Sequence, residues 1–275
     1  HRPEIVIHMA AQPLVRYSYL HPVETYTVNV LGTVNVLEAS RLVDSPRVIL
    51  VITSDKCYEN QGWIWGYRES DAMGGYDPYS SSKACSELVT SSYRRSFLAS
   101  AETELASARA GNVIGGGDWA TDRLVPDFLR AVDDRQCLTI RSPLATRPWQ
   151  HVLEPLSGYI MLAEKLYTEG SSYADAWNFG PDENDIKTVG WLADHLCRMV
   201  PGATWQRDEL AHPHEAHELR LDSSRARKLL GWIPRWQIEK ALENTVAWHL
   251  AWKNGDNMAV HSLAQIHEHE ESTNT

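Results

Sequence analysis

The chain has 275 residues, 43% of them hydrophobic, and 26 Lys and Arg against 36 Asp and Glu give a formal charge of −10. That length suits one large domain or a domain with a small appendage, and the acidity argues against a nucleic-acid surface. No apolar run approaches bilayer length, no stretch reads as a signal peptide, and Cys57, Cys85, Cys137 and Cys197 are scattered without paired spacing, as in a reduced cytoplasmic protein.

The first apolar run is Ile5-Val6-Ile7-His8-Met9-Ala10-Ala11. It reads as a strand buried in a parallel sheet and closed by small residues. Small side chains at a strand end let a ligand approach the backbone, which makes Met9, Ala10, Ala11 and Gln12 candidate contacts. Residues 22–43 read as one helix, with Pro22 in its first turn and Val28, Leu31, Val34 and Leu37 at helical spacing. Asn29 interrupts that apolar face and needs partners if buried. Gly32 permits close packing.

The chain is organised around residues 48–83. Val48-Ile49-Leu50-Val51-Ile52 is short, β-branched and continuous, as expected of a strand covered on both faces. Its end delivers Ser54, Asp55 and Lys56 to the carboxyl edge of the sheet, where open α/β folds place ligands. The polar, aromatic loop of residues 58–77 carries Trp63, Trp65 and Tyr67 and is long for a βα connection, which suggests a lid. Glu59 and Asn60 are weaker candidates within it. Pro78 then starts a helix over residues 79–100. Tyr79 and Lys83, four apart, share one helical face. An ammonium beside a phenol stabilises the phenolate, so the tyrosine can act as a base near neutral pH.

A short strand follows at residues 104–109, and Asn112 sits in its polar turn. Gly115-Gly116-Gly117 lacks the Gly-x-Gly-x-x-Gly spacing of a cofactor fingerprint and reads as a loop with free backbone amides. Arg123 and Arg147 stand out in an acidic chain, because a guanidinium grips a phosphate through two parallel hydrogen bonds. Helices are expected over residues 151–167, 188–200, 223–230 and 238–253, the last with Ile238, Leu242, Val246 and His249 on one face. A short strand is expected at residues 176–180, and the polar segment after Gly255 is expected to fray. Neither His212, His214 and His217 nor His261, His267 and His269 has the spacing of a closed zinc site, and no metal is expected.

Five stretches, taken together, resemble the extended short-chain dehydrogenase/reductases that modify nucleotide sugars, and within them the 4,6-dehydratases. These are Thr53-Ser54-Asp55-Lys56-Cys57-Tyr58-Glu59-Asn60, Tyr79-x-x-x-Lys83, Arg109-Ala110-Gly111-Asn112-Val113, Gly115-Gly116-Gly117-Asp118-Trp119-Ala120 and Arg147-Pro148-Trp149-Gln150-His151-Val152. The likeness covers nearly the whole chain. It implies an α/β fold with a doubly wound, Rossmann-like parallel sheet and a smaller C-terminal substrate domain. Residues 1–115 would be the remainder of an NAD-binding domain, with returning segments near 148–180. Residues 116–255 would mostly bind the nucleotide sugar, and 256–275 would be a polar tail. The Gly-x-x-Gly-x-x-Gly loop and acidic residue expected ahead of the first strand are not in this sequence, so the sheet is expected to be N-terminally incomplete by about two βα units.

The resemblance also implies roles. NAD would be held by Met9, Ala10, Ala11, Gln12, Asn29, Tyr79 and Lys83, and the sugar nucleotide by Gln12, Asn112, Arg123 and Arg147. Tyr79 and Lys83 would deprotonate the 4-hydroxyl, Ser54 would bond the 4-oxygen, and Asp55 and Lys56 would manage water loss across C5 and C6. Members commonly carry Asp-Glu at the last two positions. Lys56 departs from that, leaves the C5 base open and argues against dTDP-glucose. Inverting UDP-sugar dehydratases also use Asp-Lys but replace the tyrosine that this chain keeps. The implied reaction converts a CDP-linked glucose to its 4-keto-6-deoxy form, in deoxysugar and O-antigen (lipopolysaccharide) biosynthesis, by a cytoplasmic homodimer or homotetramer with no membrane or nucleic-acid partner. A 4-epimerase, a ketoreductase and a non-catalytic nucleotide-sugar or NAD-binding protein remain open alternatives.

Overall fold

The computed structural model describes residues 1–43, 45–99, 101–210 and 218–272. Strands run β1 Ile5–His8, β2 Val48–Ile52, β3 Glu104–Ala110, β4 Asn112–Ile114, β5 Leu138–Ile140, β6 Thr146–His151, β7 Ala176–Phe179, β8 Ile186–Thr188 and β9 Trp205–Arg207. Helices run α1 Val15–Leu20, α2 Pro22–Tyr26, α3 Gly32–Arg41, α4 Pro78–Ser96, α5 Leu124–Asp133, α6 Leu153–Glu169, α7 Val189–Met199, α8 Ile238–Lys253 and α9 Met258–Glu271. The chain divides into two compact units. The first comprises His1–Gly111, Leu156–Phe179 and Leu221–Trp232, and the second Asn112–Pro155, Gly180–Arg220 and Ile233–Thr275.

The first unit is built on a parallel sheet in the order β1-β2-β3-β7. Its β2 is sealed, with Val48, Ile49 and Leu50 fully buried, as a β-branched run flanked by strands on both sides should be. Leu37 of α3 and Leu98 pack with Ile49, Val51 and Leu105. The sequence expectation of a buried β1 is corrected: it lies at the edge of the sheet, and Ile5 and Ile7 are exposed. The helix expected over residues 22–43 runs without a break from Pro22 to Arg41, and a π turn, Thr27–Leu31, lies within it between α2 and α3, around Asn29. Asp77 caps α4 by accepting from Ser80 N at 2.9 Å, and Pro78 takes the first helical position.

The second unit holds the three-stranded sheet β4-β6-β8 and the two-stranded pair β5-β9. Phe128 and Leu129 of α5, Leu192 and Leu196 of α7, Trp149 of β6 and Leu242 of α8 form its core. Thr188 caps α7 through Trp191 N. Ile238, Leu242, Val246 and His249 are buried along α8, as their spacing predicts.

Three expectations shift. The helix after His151 begins at Leu153, because His151 is the last residue of β6. In the first unit, residues 226–230 close as a π turn before Gly231 adopts the left-handed conformation at φ 72°. Between Gly255 and Ser272 the segment does not fray: Asn257 caps α9 by accepting from Ala259 N and Val260 N, and Gln265 of that helix donates to Asn244 O of α8 at 2.8 Å. Those ties are polar, so hydrophobic periodicity does not reveal them. Among the described residues no helix is long and apolar enough to cross a membrane.

Candidate functional site

The end of β2 and the first turns of α4 meet in the first unit. Beyond Ile52 the chain makes a 3-10 turn, Asp55–Cys57, opened by Ser54, whose Oγ accepts from Lys56 N at 3.2 Å. The same hydroxyl donates to Asp55 Oδ1 at 3.0 Å, so Ser54 holds the carboxylate in place. Asp55 is buried and Lys56 half-buried. Across from this turn, α4 buries Tyr79 and Lys83 on one face. Lys83 Nζ donates to Ile52 O at 3.3 Å, which ties the helix to the strand end. Burial pushes the Lys83 ammonium down to about 8, with the Glu87 charge pulling the other way.

The strand-end turn after β1 completes this part of the site. Asn29 pins Gln12 from both sides: Gln12 N donates to Asn29 Oδ1 at 2.8 Å, and Asn29 Nδ2 donates to Gln12 O at 3.0 Å. Asn29 Nδ2 also donates to Ser82 Oγ at 2.8 Å, on the helix of Tyr79 and Lys83. The π turn supplies the geometry, since π bulges re-aim a side chain without breaking the helix. Met9 and Ala10 stay exposed at the strand end, and Gln12 is buried. A flat ligand could therefore reach backbone flanked only by small or flexible side chains.

Sequence reasoning missed three residues here. Tyr159 of α6 is buried, and burial together with the charges of Tyr79 and Asp55 pushes its phenol up. His8, at the end of β1, is pushed down by burial and then by Lys83, and its Nε2 lies 3.4 Å from Thr33 Oγ1. Glu87 follows Lys83 by one turn and is buried. Its signal is legible, because Tyr79, Lys83 and Glu87 recur every four residues. Tyr159 carries none, since it reaches the site only through the fold.

The loop of residues 58–77 is more tightly held than a free lid. Tyr67 is buried and bridges to Leu221, and a Cβ on Gly66 would stand 2.7 Å from Asp222 N, so only glycine fits. Trp63 and Trp65 remain exposed.

The other candidates lie in the second unit. Asn112 opens β4 and pairs with Trp149. Arg123 flanks α5 and forms a half-exposed ion pair with Asp118 at 2.8 Å, the weak kind that a stronger anion can displace. Arg147 is buried in β6, with Nη1 donating to Thr146 O at 2.9 Å. Gly115 and Gly116 serve packing, since a Cβ on Gly116 would stand 2.1 Å from Trp248 Cγ and one on Gly115 2.7 Å from Val152 Cγ1, and Gly117 supplies a positive φ of 78°. His212, His214 and His217 lie outside the described residues. Among those described, no His, Cys, Asp and Glu cluster could hold a metal, and His269 Nε2 faces Glu154 Oε1 at 3.0 Å.

A model of the GDP-mannose 4,6-dehydratase family matches residues 1–245. The chain is 53% identical over 278 residues to the CDP-glucose 4,6-dehydratase of Salmonella typhimurium, covering 99% of this chain and 77% of that protein. Among solved structures, UDP-glucuronic acid 4-epimerase from Bacillus cereus, in complex with UDP-glucuronic acid and NAD, superposes with a TM-score of 0.78 at 20% identity, covering 90% of this chain and 76% of that one. The NAD complex of dTDP-glucose 4,6-dehydratase from Bacillus anthracis gives 0.72 at 19% identity, covering 90% and 72%. These two share the fold.

Proposed function

The chain belongs to the GDP-mannose 4,6-dehydratase family, and from that premise we propose that it is an NAD-dependent hydro-lyase converting CDP-glucose to CDP-4-keto-6-deoxyglucose. The observation that carries this reading is the junction of β2 and α4, where Ser54, Asp55 and Lys56 lie beside the helix face of Tyr79 and Lys83. Identity of 53% to a CDP-glucose 4,6-dehydratase over 99% of the chain supports the substrate.

The residues that would hold NAD are Met9, Ala10, Ala11, Gln12, Asn29, Tyr79 and Lys83. They fit the group: the turn after β1 is pinned by Asn29 and lined by small side chains. The chemistry that bound NAD would supply there is reversible hydride exchange, so that C4 is oxidised and C6 reduced with no net redox change. Tyr79, kept as phenolate by the Lys83 ammonium, takes the proton of the 4-hydroxyl. The resulting ketone acidifies the hydrogen at C5, and the Lys56 amine removes it. Asp55 gives a proton to the 6-hydroxyl as the C6–O bond breaks and water leaves. Lys56 then returns its proton to C5, and the proton taken by Tyr79 passes through solvent to restore Asp55. Arg123 and Arg147 would bind the diphosphate and Asn112 the sugar.

We assign a homodimer, or a tetramer built from it, with α2, α3 and α4 at the interface. Val23 of α2, Leu88 of α4 and Leu31 of the π turn before α3 expose apolar surface, and sedimentation would give the mass. Four unpaired cysteines support a reducing, cytoplasmic setting.

The test is incubation with CDP-glucose and NAD, reading product mass. Loss of one water with a 4-keto sugar is the expected result. Unchanged mass makes the protein an epimerase or ketoreductase, and no product makes it a binding protein. Lys56→Gln should abolish water loss while leaving C4 oxidation measurable, and full turnover in that variant removes Lys56 from the mechanism.

A further inference from the structure

The functional face of α4 continues one turn past Lys83. The carboxylate of Glu87, buried at 5% exposure, collects hydrogen bonds from three residues. Thr53 Oγ1 donates to Oε1, Ser107 Oγ donates to Oε2 at 2.7 Å, and Arg109 Nη2 donates to Oε2 at 2.7 Å. Arg109 is buried too, and it extends the reach of this carboxylate. Its Nη1 donates to the Tyr58 hydroxyl at 2.6 Å and to Glu69 O at 3.2 Å, and Tyr58 donates on to Asn178 Oδ1 at 2.7 Å.

Sequence position gives these contacts meaning. Thr53 immediately precedes Ser54, and Tyr58 lies two residues past Lys56. Glu87 therefore grips the Ser54-Asp55-Lys56 segment at both ends, directly through Thr53 and indirectly through Arg109 and Tyr58. It does so from the helix that carries Tyr79 and Lys83. Burial pushes the Glu87 carboxyl up, and the Arg109 guanidinium overrides it and holds the group below the usual range. Such a pair is a poor source of stability, because desolvation offsets its attraction and an apolar pair of the same volume often does as well. What it supplies is direction: a guanidinium fork and a carboxylate fix several partners at once.

We propose that Glu87 and Arg109 are positioning residues that keep Tyr79 and Lys83 in register with Ser54, Asp55 and Lys56, so that C4 oxidation and water loss act on a single sugar pose. The inference rests on the dehydratase reading above. Oxidation at C4 and water loss across C5 and C6 involve neighbouring carbons of one sugar and tolerate little relative movement, and a shift of about 1 Å can cost on the order of a hundredfold.

The test compares two variants with the wild-type protein. Thr53→Val removes one tie and leaves the ion pair intact. Glu87→Met combined with Arg109→Met replaces the pair by apolar groups. The key readout is the fraction of C4-oxidised sugar that goes on to lose water, measured by product mass and solvent deuterium at C5. That fraction should fall about tenfold in Thr53→Val and about a hundredfold in the double variant, with the double variant's melting temperature close to wild type. Without substrate, amide exchange in the Asp55–Cys57 turn should quicken about tenfold in Thr53→Val while that of β2 holds. An unchanged fraction in Thr53→Val overturns the proposal, even where the double variant fails to fold. Wild-type protein that makes no 4-keto-6-deoxy product overturns the dehydratase reading instead, and the two failures are separable.

Discussion

Two buried glutamates are satisfied in different ways. Glu87 of the first unit binds side chains of β3 and of Thr53, just past β2, with Arg109 carrying its countercharge. Glu154 of the second unit is fully buried and accepts main-chain N–H groups, Arg235 N at 2.8 Å and Trp236 N at 2.9 Å, with His269 Nε2 at 3.0 Å. Arg235 in turn donates Nη1 to the carbonyls of His269 and Glu270, at 2.7 and 2.9 Å, and closes the end of α9. A carboxylate held by side chains ties together groups that do chemistry. One held by backbone fixes the path of the chain and docks a helix.

The contrast breaks most visibly at Arg109. Arg109→Met alone leaves Glu87 charged and buried without its countercharge, and should lower stability by about 3–5 kcal/mol in urea unfolding. Glu154→Ala strips two main-chain donors of their acceptor and should cost less, about 2 kcal/mol. Its signature is local, since amide exchange in α9 should rise ahead of that in β2. Equal losses, or global exchange in both variants, would erase the distinction between the two carboxylates.

The same contrast explains what can be read from the sequence. β2, α8 and the face shared by Tyr79 and Lys83 are legible because burial writes a period into the chain. The parallel α/β class follows from those runs. Asn29 stands out in its apolar stripe as needing partners, and it has them in Gln12 and Ser82, but the π turn that aims it has no composition signal. Arg109 and Glu154 look like surface charges in a list of residues; only the fold turns them inward. The helical state of α9 escapes periodicity for a related reason. It depends on which neighbours the segment has, and the pattern within the segment does not encode that.

His151 offers a smaller, pH-dependent comparison. It is buried in the second unit, and its Nδ1 accepts from Leu153 N at 3.3 Å. Burial, then His269, pushes its pKa down to about 3, against about 6.5 in an unfolded chain. Between those values the unfolded chain binds the extra proton and the folded one does not, so stability is lost as pH falls from about 6.5 toward 3, by at most about 1.4 kcal/mol per pH unit. His151→Phe should flatten that slope in urea titrations at successive pH values, whatever its effect on absolute stability. A slope that survives the substitution assigns the acid sensitivity to other groups.

The smallest expected change in the reaction itself is a displacement of a pH profile. Lys83 supports the Tyr79 phenolate only while protonated, so C4 oxidation should decline as pH rises through about 8, where burial has placed the ammonium. Glu87 and then Cys57 oppose that downward push, while His8 is itself held down by Lys83. Glu87→Gln removes the larger of the opposing charges, and the basic limb should move to lower pH. Glu154→Gln should leave the limb where it is, because Glu154 is not among the groups that act on Lys83. If both glutamine variants shift the limb alike, the charge at Glu87 has no private hold on the catalytic lysine. Its buried pair with Arg109 would then be of one kind with the backbone-bound carboxylate of the second unit.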